Sequence, residues 1–290
     1  MTGVRTFHVD DWTIERAAAA KRGRTVSMCI PCRDEVATVG SLVRTVRRCL
    51  VDEHGLVDEL IVLDDRSTDD SAVVARQAGA TVVPIGDVHE RHGVGHGKGN
   101  ALWATLAASR GDLVVWCDAD VTSFRPAWVA HLLVPLLDDP TVALVKAHYE
   151  RPTTAGGGGR TTELVARPLL SLFVPELTGL HQPLSGEFAG RREILEQLPF
   201  VEGWGVEIAM LLDLAHRYGA DAIAQVDLGV RHHRHRDLAE LSVQAAEVTA
   251  TLLSRVKGAP SLPPDPVLTR ADGSVLPLNL AERPPLASLR

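Results

Sequence analysis

The chain has 290 residues, of which 45% are hydrophobic and 23% charged, and its formal net charge is −7 at pH 7. This length fits one large domain or two small ones, and the apolar content is sufficient for a sizeable core. The acidic balance argues against general nucleic-acid binding, which usually accompanies an excess of basic residues.

The sequence predicts neither a membrane-spanning nor a secreted protein. No apolar run reaches the roughly 18 residues that a membrane-spanning helix needs. The first residues, MTGVRTFHVDDW, include early acidic residues and lack the apolar segment of a secretory signal. We therefore expect a cytoplasmic protein.

The first part of the chain alternates continuous apolar strands with amphipathic helices. Strands are predicted at 25–32, 57–65, 80–85, 112–118 and 141–150, and helices at 37–50, 67–79, 97–111 and 126–139. Ser67 and Asp70 are spaced like a capping box for the second helix, and Gly79 is placed as its C-terminal stop. The alternation predicts an α/β fold with a mainly parallel sheet that helices cover on both faces.

The composition changes after residue 150. A glycine-rich loop at 151–160 and a polar loop at 181–188 accompany predicted helices at 161–173, 205–219 and 237–256 and a strand at 222–233. From Gly258 onward the chain is rich in proline, which predicts an extended or partly disordered tail. We therefore divide the chain into 1–150, 151–257 and a tail at 258–290.

Polar residues accumulate where the predicted strands end. Residues 31–35 follow the first strand, Asp64 and Asp65 end the second, and Asp118 and Asp120 end the fourth. Because ligands bind at the carboxyl ends of the strands in such sheets, these residues indicate a site at one sheet edge.

Asp118 and Asp120 are the candidate metal-binding residues. On an extended chain, carboxylates two residues apart point to the same side. Two such charges are unfavourable without a nearby cation, and carboxylate oxygens suit Mg²⁺ or Mn²⁺. A D-x-D pattern alone also fits the start of a solvated loop, but its position at the exit of a buried strand favours a metal site.

Two other patterns have simpler explanations. Cys29 and Cys32 form a C-x-x-C pair, but Cys29 lies within an apolar run and no second pair completes a zinc site, so ordinary buried cysteines are expected. The segment GVGHGKG at 93–99 is not a P-loop, because its spacing is one residue short and Gly99 replaces the Ser or Thr that binds Mg²⁺.

The glycine run at 156–159 precedes a predicted helix start. Glycines alone would indicate a flexible linker, but the Arg-Thr-Thr that follows favours an anion site. Free backbone N–H groups at a helix start bind anions, and Arg160 adds a bidentate donor for phosphate or carboxylate.

Three strand-end patterns, P-x-x-[ND]-E, D-D-x-S-T-D-D and D-x-D in this order, resemble those of nucleotide-sugar glycosyltransferases with the GT-A fold. With GKGNALW, GGGGRTTELVARPLL, QPLSGE, GVEIAMLLD, DAIAQVDLGVRHHRHR and ATLLSR, the chain resembles glucosyl-3-phosphoglycerate synthases over about residues 12–256. The resemblance implies a GT-A, Rossmann-like fold and a retaining, metal-dependent transfer of glucose. UDP-glucose would be the donor and the 2-hydroxyl of 3-phosphoglycerate the acceptor, in an enzyme that forms a homodimer.

The resemblance also implies roles for individual residues. Donor binding falls to Pro31, Cys32, Arg33, Glu35, Asp65, Lys98, Asp118, Arg231 and Arg236, metal binding to Asp120 and His233, and acceptor binding to Gly159, Arg160 and Thr162. The catalytic set is Asp118, Asp120, Lys98 and Glu207, with Glu207 beside the sugar. Residues 1–150 would bind the nucleotide sugar, and 151–257 would bind the acceptor and complete the metal site.

Several alternatives remain open on the sequence. Asp34, Asp65 and the segment GHGKG depart from the family pattern, which leaves the nucleotide and the sugar undetermined. A paralogue that uses another small anionic acceptor or another nucleotide sugar is one alternative, and a non-catalytic sugar-nucleotide-binding protein is another. A nucleotidyltransferase is disfavoured, because the first strand lacks the usual glycine-rich loop with a lysine.

Overall fold

A computed structural model describes residues 3–9, 12–150, 159–232, 238–259 and 261–289. The helices are α1 (Ile14–Ala20), α2 (Val39–Val46), α3 (Ser71–Gln77), α4 (Ile85–His92), α5 (Lys98–Ala108), α6 (Ala127–Asp138), α7 (Arg167–Phe173), α8 (Arg192–Leu195), α9 (Val206–Tyr218) and α10 (Leu238–Arg255). The strands are β1 (Arg5–Phe7), β2 (Val26–Cys32), β3 (Glu59–Asp64), β4 (Thr81–Pro84), β5 (Leu113–Trp116), β6 (Leu144–Glu150), β7 (Phe188–Arg191), β8 (Phe200–Val201), β9 (Ile223–Val230), β10 (Val267–Thr269), β11 (Val275–Pro277) and β12 (Glu282–Arg283).

The centre of the molecule is one eight-stranded sheet in the order β1-β9-β6-β7-β5-β2-β3-β4. Its pairings are parallel except those of β7, which runs antiparallel to both β5 and β6. The predicted α/β fold with a mainly parallel sheet is therefore confirmed. β7 begins at Phe188, the last residue of the predicted polar loop, and was not predicted, so the sequence missed the strand that joins the two parts of the sheet.

Helices cover both faces of the sheet, as the continuous apolar strands predicted. Along β2, Met28 packs into the core with α2 and α6, whereas Cys29 packs into the opposite core with α5 and α9. Alternate strand residues point to opposite faces, so a strand buried on both sides is apolar at every position.

The predicted strand ends do meet at one edge. Cys32 at the end of β2 is paired in register with Asp64 at the end of β3. On the other side of β2, Trp116 at the end of β5 is paired with Cys29. The residues that follow these three strands therefore emerge next to one another, and they position the site described below.

Several local predictions need correction. Ser67 does not cap α3, because the helix begins at Ser71 and the Ser67 hydroxyl accepts a hydrogen bond from the Asp34 N–H (3.1 Å). Gly79 does follow the helix, in a left-handed conformation with φ of 103°. The helix predicted at 37–50 becomes π-helical from Arg47 to Glu53, and α4 was not predicted.

The C-terminal tail is packed against the protein rather than loosely extended. β10 and β11 form a hairpin, and β12 pairs antiparallel with β8. Trp103 on α5 donates its indole N–H to the Pro284 carbonyl (2.8 Å), and Leu286 is buried. The expectation of a partly disordered tail is therefore wrong for residues 261–289.

The cysteines of the C-x-x-C pair behave as expected, because Cys29 and Cys32 are both buried free thiols. Among the helices that the structure describes, none has the length and apolar character to cross a membrane.

Candidate functional site

A pocket of about 330 Å³ opens at the carboxyl ends of β2, β3 and β5. Its walls include Pro31, Cys32, Arg33, Glu35, Asp65, Lys98, Asp118 and Asp120, all of which were selected from the sequence. Trp204, from the loop before α9, completes the wall and was not selected. The structure thus gathers the donor-site candidates of the first half of the chain into a single pocket.

The loops after β2 and β3 are bonded into one unit. Asp34 and Arg66 both have left-handed backbones, with φ of 55° and 59°. The Asp34 carboxylate accepts from the Thr68 N–H (2.7 Å), and the Asp65 N–H donates to the Cys32 carbonyl (2.9 Å). Short polar side chains tolerate the left-handed region because they bond to nearby backbone groups. Asp34, a departure from the family pattern, therefore has a structural role in joining the two loops.

Asp65 does not present a free carboxylate to the pocket. Its Oδ1 accepts from the Arg66 Nε (2.9 Å) and lies 2.8 Å from the Arg66 Nη2. The pair places a guanidinium at the rim, where Arg66 Nη1 also lies 3.3 Å from the His96 Nδ1.

Asp118 and Asp120 share a buried cation. The Arg231 Nη2 lies 3.0 Å from the Asp118 Oδ2 and 3.5 Å from the Asp120 Oδ1. Arg231 is only 3% exposed, so its charge is directed at these carboxylates. This is the nearby cation that the D-x-D pattern requires. A direct contact of Arg231 with the donor stays a prediction.

Lys98 joins the predicted catalytic carboxylates. It is the first residue of α5, and its Nζ lies 2.6 Å from the Glu207 Oε1 and 3.6 Å from the Asp118 Oδ1. Burial disfavours the charged form of Lys98 and by itself would lower its pKa. The neighbouring carboxylates, chiefly Asp118 and Glu207, outweigh burial and raise the pKa of Lys98 above its usual value. Glu207, in the first turn of α9, thus comes from a distant part of the chain to lie beside Lys98, and its place beside the sugar stays a prediction.

The D-x-D end of the pocket suits a divalent cation. Burial and the neighbouring Asp118 charge raise the pKa of Asp120 above its usual range. The Asp120 Oδ1 is buried and accepts no hydrogen bond within the described chain, and its contact with Arg231 is a 3.5 Å ion pair. A buried carboxylate oxygen that accepts no hydrogen bond, in a site short of positive charge, fits Mg²⁺ or Mn²⁺.

Two predicted site residues belong to the segment that follows β9. His233, predicted to bind the metal, and Arg236, predicted to bind the donor, lie outside the described residues. Across the part of the chain that is described, no three His, Cys, Asp or Glu side chains are grouped for a metal. Mg²⁺ in particular usually takes few protein carboxylates and completes its shell with water and phosphate oxygens.

A second pocket of about 360 Å³ contains two of the predicted acceptor residues, Gly159 and Thr162. Tyr149 and Gln182 also line it, as does the stacked pair of His148 and His181. Arg160 is exposed and is not part of the lining, and the preceding glycines at 156–158 lie outside the described residues.

Glu187 connects the two pockets, and sequence reasoning missed it. Its Oε2 accepts from the hydroxyl of Tyr149 (2.8 Å), which lines the second pocket, and its Oε1 accepts from Arg231 (3.0 Å), which underlies the first. The available clue was a single acidic residue in the segment QPLSGEF, just before an apolar residue.

A family profile and the sequences of known proteins indicate the same family for this chain. The profile of Glycosyl transferase family 2 matches residues 27–199. Glucosyl-3-phosphoglycerate synthase of Mycolicibacterium paratuberculosis is 47% identical over 303 residues, covering 99% of this chain and 91% of that protein. The synthase of Petrotoga mobilis is 44% identical, covering 82% of this chain and 75% of that protein.

A solved structure agrees in fold as well as in sequence. The crystal structure of glucosyl-3-phosphoglycerate synthase from Mycobacterium tuberculosis in complex with Mn²⁺, UDP-glucose and phosphoglyceric acid superposes with a TM-score of 0.91. It is 46% identical to this chain, and the match covers 100% of both chains. The expected GT-A fold is thereby confirmed, and this chain belongs to glycosyl transferase family 2 and, within it, to the glucosyl-3-phosphoglycerate synthases.

Proposed function

We propose that this glycosyltransferase moves glucose from UDP-glucose to the 2-hydroxyl of 3-phosphoglycerate, with retention of configuration and with Mg²⁺ or Mn²⁺ bound. The observation that carries the proposal is the meeting of Lys98 and Asp118 in the wall of one pocket at the sheet edge, with the buried Glu207 in contact with Lys98 behind it. The synthase from Mycobacterium tuberculosis has been crystallised with Mn²⁺, UDP-glucose and phosphoglyceric acid, and also with Mg²⁺ and UDP.

Each part of the first pocket would have a distinct task. The loops after β2 and β3, with Pro31, Arg33 and Glu35, would hold the nucleotide. Asp120 and His233 would hold the cation, which supplies positive charge to the leaving diphosphate when bound. Lys98 remains charged and would add a second positive charge on the same side. Arg236 would approach the diphosphate from the segment after β9.

Retention would proceed by attack on the same face that the leaving group occupies. A covalent mechanism needs a free carboxylate nucleophile at the sugar. Glu207 is the nearest candidate, but its Oε1 is held 2.6 Å from the Lys98 Nζ and its side chain is 4% exposed. This engagement favours Glu207 as a sugar-binding residue and favours front-face attack.

The acceptor would bind beside the second pocket, between Gly159, Arg160 and Thr162. In this proposal residues 1–150 serve mainly the donor, residues 151–257 mainly the acceptor and the metal, and residues 258–290 form the tail. Trp204 is an exception to this division, because it lines the donor pocket from the second half.

We also propose a homodimer that works in the cytoplasm. The exposed apolar side chains Leu164, Leu172 and Phe173 lie on the π-helical turn before α7 and on α7 itself, and Leu238 at the start of α10 is exposed as well. Exposed apolar side chains of this kind favour burial against a second copy. Light scattering after size exclusion tests the dimer, and cell fractionation tests the location.

The decisive experiment is a panel of donors and acceptors with the purified protein. UDP-glucose, GDP-glucose and other nucleotide sugars are each combined with 3-phosphoglycerate, glycerate or other small acids, with Mg²⁺, Mn²⁺ or EDTA. We expect a metal-dependent glucosyl-3-phosphoglycerate product with the α-anomeric configuration of the donor, detected by mass spectrometry and NMR. Transfer only to another acid would favour a paralogue, and binding without transfer would favour a non-catalytic protein.

A further inference from the structure

A buried set of polar side chains lies beneath Asp118 and Asp120. At its centre is Glu187, which is 1% exposed. The Glu187 Oε1 accepts from the Arg231 Nε (3.0 Å) and lies 2.9 Å from the Arg231 Nη2, the same nitrogen that contacts the two aspartates. Arg231 therefore divides one charge between Glu187 and the D-x-D carboxylates.

The backbone of Glu187 is fixed by the central sheet. Glu187 immediately precedes β7, and its carbonyl accepts from the Ala147 N–H on β6 (3.0 Å). Lys146, the neighbour of Ala147, donates its buried ammonium group to the Ser185 carbonyl (2.6 Å). The segment 185–187 is thus bonded to β6 on both sides of Gly186, and it can hold a neighbouring side chain at a defined place.

That neighbouring side chain is Asp118. A Cβ added to Gly186 would lie 2.1 Å from the Asp118 Oδ2 and 2.6 Å from its Oδ1. The carboxylate therefore lies directly against the Gly186 backbone, in space that any other residue would fill. Gly186 supports one side of Asp118, and Arg231, held by Glu187, supports the other.

The charges in this region do not balance. Within the described chain, four carboxylates of Asp118, Asp120, Glu187 and Glu207 surround three cations, Lys98, Lys146 and Arg231. One negative charge is left over, which favours a divalent cation at Asp120. Without the Glu187 charge the region would be neutral, and Arg231 would pair with the aspartates alone.

We propose that Glu187 is a positioning residue of the metal site, an inference that rests on the proposed metal-dependent function. By taking up part of the Arg231 charge, Glu187 leaves Asp120 available to the cation while Arg231 still orients Asp118. The competing explanation is that Glu187 merely neutralises a buried arginine and stabilises the fold.

The test is Mn²⁺ binding to Glu187→Gln in the presence of UDP, followed by electron paramagnetic resonance of free Mn²⁺. Glutamine keeps the shape and can still accept from Arg231, but it removes the charge. We expect the Mn²⁺ dissociation constant to rise about 10- to 100-fold, the range found for groups that orient metal ligands. UDP binding without metal, measured by calorimetry, should change much less.

A matched control separates this role from a purely structural one. Glu196 is also buried and is paired with an arginine, Arg192, at 3.1 Å, but it is the C-cap residue of α8 and does not line the pocket. Glu196→Gln should lower the melting temperature and leave the Mn²⁺ dissociation constant within about twofold of the parent. Equal Mn²⁺ affinity in the parent and in Glu187→Gln would overturn the proposal.

Three further outcomes bear on the role of Glu187 and on the proposed function. If Glu187→Gln does not fold, Gly186→Ala serves instead, since it displaces Asp118 without changing any charge, and an unchanged Mn²⁺ affinity there would contradict the arrangement. A parent that binds Mn²⁺ with UDP but transfers no glucose would refute the proposed function and leave this inference standing. A parent that binds no Mn²⁺ with UDP would refute both.

Discussion

At the scale of single residues, Arg231 and Lys98 explain how two carboxylates can follow a buried strand. Removing a charge from water costs several kcal/mol unless a partner of opposite charge is well placed. Asp118 has both cations within 3.6 Å, whereas among the described residues Asp120 has only a 3.5 Å contact to Arg231. The less compensated of the two carboxylates is the one assigned to the metal.

We expect Asp120→Ala to abolish transfer and leave the fold intact. Its pKa is raised by burial and by Asp118, so the charged side chain contributes little to stability, and its removal relieves the repulsion. Transfer should fall by about 100-fold or more, the upper end of what loss of a group supporting a metal ligand costs. Near-normal metal-dependent turnover, with an unchanged thermal unfolding curve, would show that the metal lies elsewhere.

Arg160→Ala should weaken the binding of the acceptor much more than the binding of the donor. Arg160 is an exposed cation next to Gly159, two residues before the π-helical turn that spans Thr162–Ala166. Losing a hydrogen bond to a charged group costs about 1.5–3 kcal/mol, or roughly a 10- to 100-fold rise in the KM for 3-phosphoglycerate. If Arg160 binds the phosphate, the KM for glycerate, which has no phosphate, should rise less. An effect confined to the KM for UDP-glucose would place Arg160 in the donor site.

Lys146 gives the stability of the protein a specific dependence on pH. Burial lowers its pKa to about 8, whereas an unfolded lysine titrates near 10.4. Below pH 8 the lysine is charged in both the folded and the unfolded state, and the folded state bears the full cost of burying that charge. Between these values the unfolded state binds more protons, so the free energy of unfolding gains a contribution that rises with pH.

Comparison with Lys146→Met isolates that contribution. The free energy of unfolding of the parent minus that of the variant should increase from pH 8 to pH 10, by at most about 1.4 kcal/mol per pH unit. Urea unfolding at intervals of half a pH unit measures it. A difference that is flat over this interval, or that falls, would show that the buried lysine does not titrate there.

At the scale of elements, the N-terminus of α5 depends on a glycine for its position. The Gly99 N–H donates to the Glu202 carbonyl (2.7 Å), and a Cβ at Gly99 would lie 1.7 Å from the Val201 carbonyl oxygen. Helix and strand therefore approach at a distance that only glycine permits. Lys98, the preceding residue, takes its place in the pocket from this contact.

We expect Gly99→Ala to destabilise the protein by about 1–3 kcal/mol, as overpacking in a core usually does. It should also raise the KM for UDP-glucose, because α5 and Lys98 must move together. Gly86→Ala on α4 is the matched control, since no atom lies within 4 Å of its added Cβ. That change should be neutral or stabilising. Equal effects of the two substitutions on stability and KM would contradict the packing argument.

The elements show which features the sequence could reveal. β2, β3 and β5 were predicted closely, because a strand buried on both faces is a continuous apolar run that needs no knowledge of its neighbours. β7 has only four residues, and its place depends on pairing with β5 and β6, which are distant in sequence. Glu187 was missed for the same reason, since its partners come from other strands.

The resemblance to a family supplied what local patterns could not. Glu207 was assigned to the sugar site from its motif, and the structure does bring it to Lys98. Ser67 shows the reverse case, in which a correct helix was given the wrong cap. A local spacing rule could not foresee that Asp34, from another loop, would donate its N–H to that hydroxyl.

At the scale of the whole molecule, the pocket lined by Lys98 and Trp204 is held from outside by the C-terminal tail. Asn279 donates its side-chain N–H to the His96 carbonyl (2.9 Å), in the loop before Lys98. The Ala281 carbonyl accepts from the Glu202 N–H (2.7 Å), in the loop before Trp204. The tail thus crosses the two loops that place Lys98 and Trp204 in the pocket wall.

The same segment covers α5. Arg283 is 4% exposed, donates to the His92 carbonyl (2.8 Å) and lies 4.3 Å above the Trp103 ring. Trp103 in turn donates its N–H to the Pro284 carbonyl. A buried guanidinium over an indole that is itself hydrogen-bonded joins the tail firmly to the helix that begins with Lys98.

Truncation after Leu278 should therefore affect both stability and donor binding. We expect the melting temperature to fall by at least about 5 °C, since a chain of this size loses roughly 2–4 °C per kcal/mol, and Trp103 fluorescence to shift to the red. The KM for UDP-glucose should rise several-fold, because the loops before Lys98 and Trp204 lose their partners. Truncation after Ala287 keeps every one of these contacts and should match the parent. A shortened protein with a lower melting temperature but unchanged donor KM would mean that the tail stabilises the fold without organising the pocket.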